Sequence, residues 1–93
     1  MSSIKKLKKD INNSVAILFT DLIMYKLYIA SANAEAADKS IGELIDLQNE
    51  FLSRANAREG KNAKKRMKLY FQSLKNDFRK EIDSIAKEIE KLP

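Results

Sequence analysis

The sequence has no cysteine, no histidine and no tryptophan, and it contains only two glycines and one proline in 93 residues. Without cysteine and histidine, the chain cannot form a disulfide, a Cys/His zinc site or a Ser-His-Asp or Cys-His catalytic arrangement. The scarcity of glycine and proline disfavours β architectures, which need tight turns. Gly42 and Gly60 are isolated, so no glycine-rich phosphate loop is present. We therefore expect a non-enzymatic protein that holds no cofactor and no metal ion.

The chain also lacks a long hydrophobic run. Its longest apolar stretch covers residues 15–30 and is interrupted by Asp21 and Lys26. A helix needs about 20 apolar residues to span a bilayer, so this stretch is too short and too polar. The basic N-terminus has no convincing signal-peptide cleavage site after it. These features predict a cytoplasmic protein with no membrane span.

Helical periodicity is what the sequence has instead. Hydrophobic residues make up 44% and charged residues 33% of the chain, and a chain of this length supports one domain. Apolar residues recur at steps of three and four, which predicts helices over residues 3–36, 41–58 and 62–91. The predicted core lines are Ile4, Leu7, Ile11, Val15, Leu18, Leu22, Tyr25 and Ile29; then Ile41, Leu44, Ile45, Gln48, Phe51, Leu52 and Ala55; then Met67, Phe71, Leu74, Phe78, Ile82, Ile85, Ile89 and Leu92.

The predicted connections are short. The tetrad Ser40-Ile41-Gly42-Glu43 has the S-x-x-E pattern of a capping box, and Gly60 is a natural helix stop. The alternative at the first connection is one kinked helix that runs straight through. Short connections predict an antiparallel, up-down-up, all-α three-helix bundle with long first and third helices. Because the predicted middle helix is about half as long as its neighbours, we expect the outer helices to overhang it.

The first helix carries a second apolar line roughly 120° from its core line. Ile17, Met24 and Tyr28 occupy the remaining arc. Two interpretations are open: the second line contacts the other neighbouring helix, or it forms a dimer or partner interface. We favour the interface, because a helix that is apolar all round is buried all round. The candidate interface residues are Ala16, Phe19, Ile23, Leu27 and Ala30.

Charge is unevenly distributed along the predicted bundle, although the net charge is only +5. One end collects eleven Lys and Arg residues against two acids, and the other end is acidic. Such an end could contact nucleic acid phosphates, with Tyr70 available for base stacking, or it could simply be solvated. Acids on the second and third helices are expected to form solvated faces. The candidate anion or nucleic-acid contacts are Lys5, Lys6, Lys9, Lys61, Lys64, Lys65, Arg66 and Lys68.

The opening residues SSIKKLKKDIN, followed by an apolar helix, resemble a family of short all-helical bacterial proteins of unknown function. The resemblance covers about the first thirty residues. It implies a bacterial, cytoplasmic protein and supplies no catalytic residues.

Self-association explains both unusual features, the second apolar line and the separated charge. Two bundles packed antiparallel through the first helix would place the basic end of one beside the acidic end of the other. The sequence therefore predicts a small interaction or scaffolding protein that forms a homodimer through its first helix. The alternative is a nonspecific nucleic-acid-binding protein, and a third possibility is an adaptor whose first helix docks in another protein's groove.

Overall fold

The fold is a bundle of three α-helices. The computed structural model describes the backbone of residues 2–57 and 64–93 and the side chains of residues 4–56 and 68–93. Helix α1 is Ser2–Tyr28, α2 is Ala34–Ala57 and α3 is Lys64–Glu90, and the described residues contain no strand. The predicted all-α three-helix bundle is confirmed. The predicted stop at Gly60 lies outside the described residues.

Contacts between the helices show that neighbours in sequence run antiparallel. The Gln48 side-chain amide donates to Asn12 Oδ1 at 2.8 Å, and Lys26 Nζ lies 2.5 Å from Asp38 Oδ1. Residues further along α1 therefore contact residues earlier in α2, as in two antiparallel helices. The same reversal relates α2 to α3, since Phe51 contacts Phe78 and Ser40 contacts Glu88. As a result, α1 and α3 run parallel on either side of α2.

One apolar line from each helix forms the core. Phe51 is 1% exposed, and its ring meets the Phe78 ring edge-on with centroids 5.4 Å apart. Burial of such side chains is the main stabilising contribution in a bundle without disulfides. The predicted lines supply most of this core, although Leu47 is buried where the prediction had Ile45. The buried apolar residues are Leu7, Ile11, Val15, Leu22, Ala37, Leu44, Leu47, Phe51, Ala55, Leu74, Phe78 and Ile85.

The predicted boundary between the first two helices is wrong. Helix α1 ends at Tyr28, not near residue 36, and α2 begins at Ala34, not at residue 41. Asn33 caps α2, because its Oδ1 accepts a hydrogen bond from the Ala36 backbone N–H at 3.1 Å. The Asn33 backbone N–H in turn donates to the Tyr25 hydroxyl at 2.7 Å. These contacts fix the turn inside a stretch whose alanines favour helix.

The predicted capping box is wrong for a related reason. Ser40 lies inside α2 and is 3% exposed, and its hydroxyl donates to Glu88 Oε1 on α3 at 3.3 Å. With its true start, α2 has 24 residues against 27 in each outer helix, or about 36 Å against about 40 Å. The predicted half-length middle helix, and the overhang it implied, are therefore also wrong.

Candidate interaction surface

Helix α1 presents a broad apolar surface on the side opposite its core line. The most exposed of its large side chains are Tyr28 at 73%, Leu27 at 70%, Ile17 at 63% and Met24 at 51%. We call this surface the outer face of α1, and it comprises Ala16, Ile17, Phe19, Thr20, Ile23, Met24, Leu27 and Tyr28. Helical spacing places these residues on one half of the cylinder, and the core line occupies the other half.

The predicted interface residues all lie on or beside this face. Ala16, Phe19 and Leu27 are exposed and Ile23 is half-buried, while exposed Ala30 lies in the turn after α1. The alternative interpretation, in which this line packs against the other neighbouring helix, does not hold for exposed Ala16 and Leu27. The overhang of the outer helices that the sequence predicted does not explain this exposure, because the middle helix is nearly as long as its neighbours. In this bundle α1 packs on α2 and less extensively on α3.

The apolar surface extends from α1 onto α2 through Ile45, a residue that the sequence pattern assigned to the core. Phe19 lies two helical turns from both Asn12 and Lys26, which contact α2. Ile45 lies two turns from Asp38, which contacts α1. The two side chains therefore occupy facing edges of the α1–α2 contact, where Phe19 is 38% and Ile45 is 44% exposed. Periodicity alone could not separate this edge position from the core.

The exposed area is large for a domain of this size. With roughly 200 Å² for an unburied large side chain, the exposed fractions on the outer face, together with the adjoining Ile45, amount to on the order of 700 Å². The largest apolar patch on a typical monomer is about 300–600 Å², and a patch above that range marks an interaction site. A standard protein interface buries about 800 Å² on each partner.

Charge changes sign along the side of the bundle that carries this face. Lys5, Lys6 and Lys9 are exposed near the start of α1, where they line a shallow depression of about 480 Å³ with Asp10 and Asn13. Towards the other end Asp21 on α1 and Glu35 and Asp38 on α2 are exposed, with Lys26 as an exposed cation beside them. Asp38 is paired with Lys26, which leaves Glu35 as an exposed acid in the first turn of α2.

The predicted basic end is only partly available for anions. Lys5, Lys6, Lys9 and Lys68 are exposed. The side chains of Arg58, Lys61, Lys64, Lys65 and Arg66 lie outside the described residues.

Arg54, one of the eleven Lys and Arg residues of the predicted basic end, is half-buried at the contact between α2 and α3. Its guanidinium lies 3.1 Å from Asp77 and 3.7 Å from Glu50, with its central carbon 4.6 Å from the centre of the Phe51 ring. Burial disfavours its charge, but hydrogen bonds with Asp77 and Tyr70 outweigh this and hold the Arg54 pKa above its ordinary value. This cation therefore joins α2 to α3.

Tyr70 is also committed to the bundle. Its hydroxyl donates to the Arg54 carbonyl oxygen at 2.8 Å, and its ring meets the Phe71 ring edge-on with centroids 5.6 Å apart. The half-buried ring packs against the core. These contacts remove the side chain that the sequence offered as a platform for base stacking.

A groove between α2 and α3 gathers five carboxylates, which the sequence had placed on two separate solvated faces. It has a volume of about 280 Å³ and is lined by Glu43, Asp46, Glu50, Glu81 and Glu88, with Leu47, Ser84 and Ile85. Because the acids come from two helices, only the packing reveals that they converge. Among the residues that the structure describes, no group of acids is arranged to hold a metal ion.

Glu43 is the half-buried acid of this groove, and the other four acids are exposed. Its Oε1 has no hydrogen-bond partner among the described residues. Burial raises the pKa of Glu43 above its ordinary value, and hydrogen bonding with Glu88 and repulsion from that carboxylate raise it further. Lys39 acts in the opposite direction. The carboxyl group of Glu43 therefore keeps its proton to a higher pH than an ordinary glutamate does.

Within residues 2–57 and 64–93, no helix is both long and apolar enough to cross a membrane. Compared with known proteins, the chain matches no protein-family model, no curated protein and no solved structure.

Proposed function

We propose that this protein is a non-enzymatic interaction module that forms a homodimer through the outer face of α1. The observation that carries the proposal is that α1 exposes Ile17, Met24, Leu27 and Tyr28 along one face, each by more than half. An apolar face of this size is unfavourable in water, and burying it against a partner is favourable.

A second copy of the chain is the occupant that the area supports. The exposed apolar area of on the order of 700 Å² is close to the roughly 800 Å² that each partner buries in a standard interface. Ala16, Thr20 and Ile23 lie among the larger side chains and complete the patch. Twofold dimers are the commonest assembly, because one self-complementary patch serves both partners.

The charges beside the face oppose a membrane surface as the occupant. Helices that lie on anionic membranes combine an apolar face with a basic polar flank. The exposed lysines Lys5, Lys6 and Lys9 lie at the start of this face. Its apolar part is bordered by exposed Asp21 and Glu35 and by the Lys26–Asp38 ion pair. An anionic bilayer would repel Asp21 and Glu35 at the depth where the apolar side chains must insert.

The test compares two leucines of nearly equal exposure. Leu27 is 70% exposed on the outer face of α1, and Leu69 is 66% exposed on α3. We expect Leu27→Lys to weaken the dimer at least ~100-fold, because the dimer loses two buried leucines and gains two buried charges. Leu69→Lys should leave the dimer unchanged. The measurement is solution mass by light scattering across a concentration series, with circular dichroism to confirm that both variants stay helical.

Equal behaviour of the two variants would contradict the proposal. The protein is freed of nucleic acid before the measurement, so that an increase in mass cannot come from bound polyanion. A wild-type chain that stays monomeric and sediments with anionic lipid vesicles would assign the outer face of α1 to a membrane instead.

A further inference from the structure

We infer that the two copies pack antiparallel along α1, with the twofold axis passing close to Thr20. This inference rests on the proposed dimer and specifies its orientation and register. It follows from two features of the outer face of α1: the residues along its middle and the position of the lysines.

The middle of the face is formed by small residues. Ala16 and Thr20 lie opposite the core line, and the larger Ile17, Phe19, Ile23 and Met24 stand on either side of them. Small side chains along the line of contact let two helices approach closely, while the flanking large side chains pack beside the partner helix. An axis at Thr20 is central to this arrangement, since it pairs Ala16 with Met24 and Ile17 with Ile23.

The lysines decide the orientation. Lys9 continues the central line of the outer face at helical spacing, through Asn13 to Ala16, and Lys5 and Lys6 lie one turn before it. A parallel dimer would bring each of these lysines against its own copy, and facing like charges disfavour a complex. An antiparallel dimer with its axis at Thr20 separates the two copies of Lys9 by about 33 Å.

The same register brings opposite charges closer together. In the antiparallel dimer, Lys9 of one copy lies level with the α1–α2 turn of the other, near Ser31. Exposed Glu35 follows that turn in the first turn of α2. The antiparallel arrangement therefore replaces a lysine–lysine contact with a lysine facing an acid. It also sets the two α1 helix dipoles in opposite directions, which is the more favourable alignment.

Single-cysteine cross-linking tests this orientation directly, because the native chain has no cysteine. The variants are Thr20→Cys at the axis, Lys9→Cys away from it, and Leu69→Cys on α3 as a control for chance collision. A short bis-maleimide reagent is added to each, and linked dimers are counted on a denaturing gel. We expect Thr20→Cys to link to itself, and Lys9→Cys and Leu69→Cys to remain single chains.

A mixture of Lys9→Cys with a size-tagged Ser31→Cys chain completes the test. We expect mixed dimers of intermediate size, because the antiparallel register places residue 9 opposite residue 31. Linking of Lys9→Cys to itself would overturn the antiparallel orientation while leaving the dimer intact. A light-scattering dimer in which neither Thr20→Cys nor the mixture links would overturn both the register and the outer face of α1 as the interface. A monomeric mass would refute the proposed function itself.

Discussion

Helices α1 and α3 have the same length of 27 residues, and each packs against α2 with one apolar line buried. Their opposite faces differ completely. The outer face of α1 exposes isoleucine, methionine, leucine and tyrosine side chains. The corresponding face of α3 carries Asn76, Lys80, Asp83 and Lys87, and Leu69 is the one large exposed apolar side chain between residues 68 and 90. Since α3 shows that the bundle needs no apolar outer face, the apolar face of α1 indicates a contact beyond the chain.

The largest effect is expected when α3 is given an apolar outer face like that of α1. Lys80 and Lys87 lie on the same line of α3 as Leu69, so Lys80→Leu with Lys87→Leu creates a second apolar face. Two associating faces on different sides of one molecule allow open-ended assembly. We expect the light-scattering mass to exceed that of a dimer and to rise with concentration.

The matched control for that change is Lys80→Gln with Lys87→Gln, which removes the same charges without adding apolar surface. This variant should keep the mass of the wild type. If it also assembles, loss of charge repulsion explains the effect and the comparison of apolar faces is not supported.

A smaller effect, on the free energy of unfolding, is expected when the Arg54 contacts between α2 and α3 are removed. Arg54→Ala removes the ion pair with Asp77 and the guanidinium above the Phe51 ring. Exposed ion pairs and cation–π contacts contribute modestly, so we expect a loss of about 1–2 kcal/mol in the free energy of unfolding, measured by urea denaturation. Arg54→Met keeps the apolar stem over Phe51 and should recover part of this loss. Equal losses in both variants would show that the charge alone matters.

The smallest effect concerns pH at the carboxylate groove. Because the folded pKa of Glu43 is raised, the folded chain binds a proton that the unfolded chain has already released, and this favours folding at low pH. The contribution is lost as pH rises through the folded pKa. We therefore expect Glu43→Gln to raise the urea midpoint relative to wild type at neutral pH, with a difference that shrinks towards pH ~4.

Glu81→Gln controls for the change in net charge, because it removes an exposed carboxylate from the same groove. Its effect should depend less on pH than that of Glu43→Gln. Parallel pH profiles for the two variants would show that burial of Glu43 has no energetic consequence.

The sequence predicted what periodicity determines, namely three helices and most of the residues of their inner lines. It misplaced the first connection because local propensity favours helix through the alanines before residue 37. The turn is fixed by Asn33 and by the Tyr25 hydroxyl, two residues eight positions apart that meet only after the chain reverses. Ser40 and Glu43 imitate a capping box, although both lie at the contact with α3.

The candidate site could be predicted in part. The second apolar line of α1 followed from helical spacing, but its exposure depends on which sides of α1 are covered by α2 and α3. The extension onto Ile45 and the convergence of carboxylates from α2 and α3 depend on packing register, which no single helix encodes. Arg54 and Tyr70 appeared available for an anionic partner in the sequence, but their contacts lie across the α2–α3 contact.

Solution mass is the decisive measurement for the proposed association of two copies of this chain through the outer face of α1. The chain mass is 10.6 kDa. Light scattering at ~50 mM and ~500 mM salt separates apolar from electrostatic association, since salt screens only the latter. We expect the light-scattering mass to be twice the chain mass at both salt concentrations. A single-chain mass at both would contradict it.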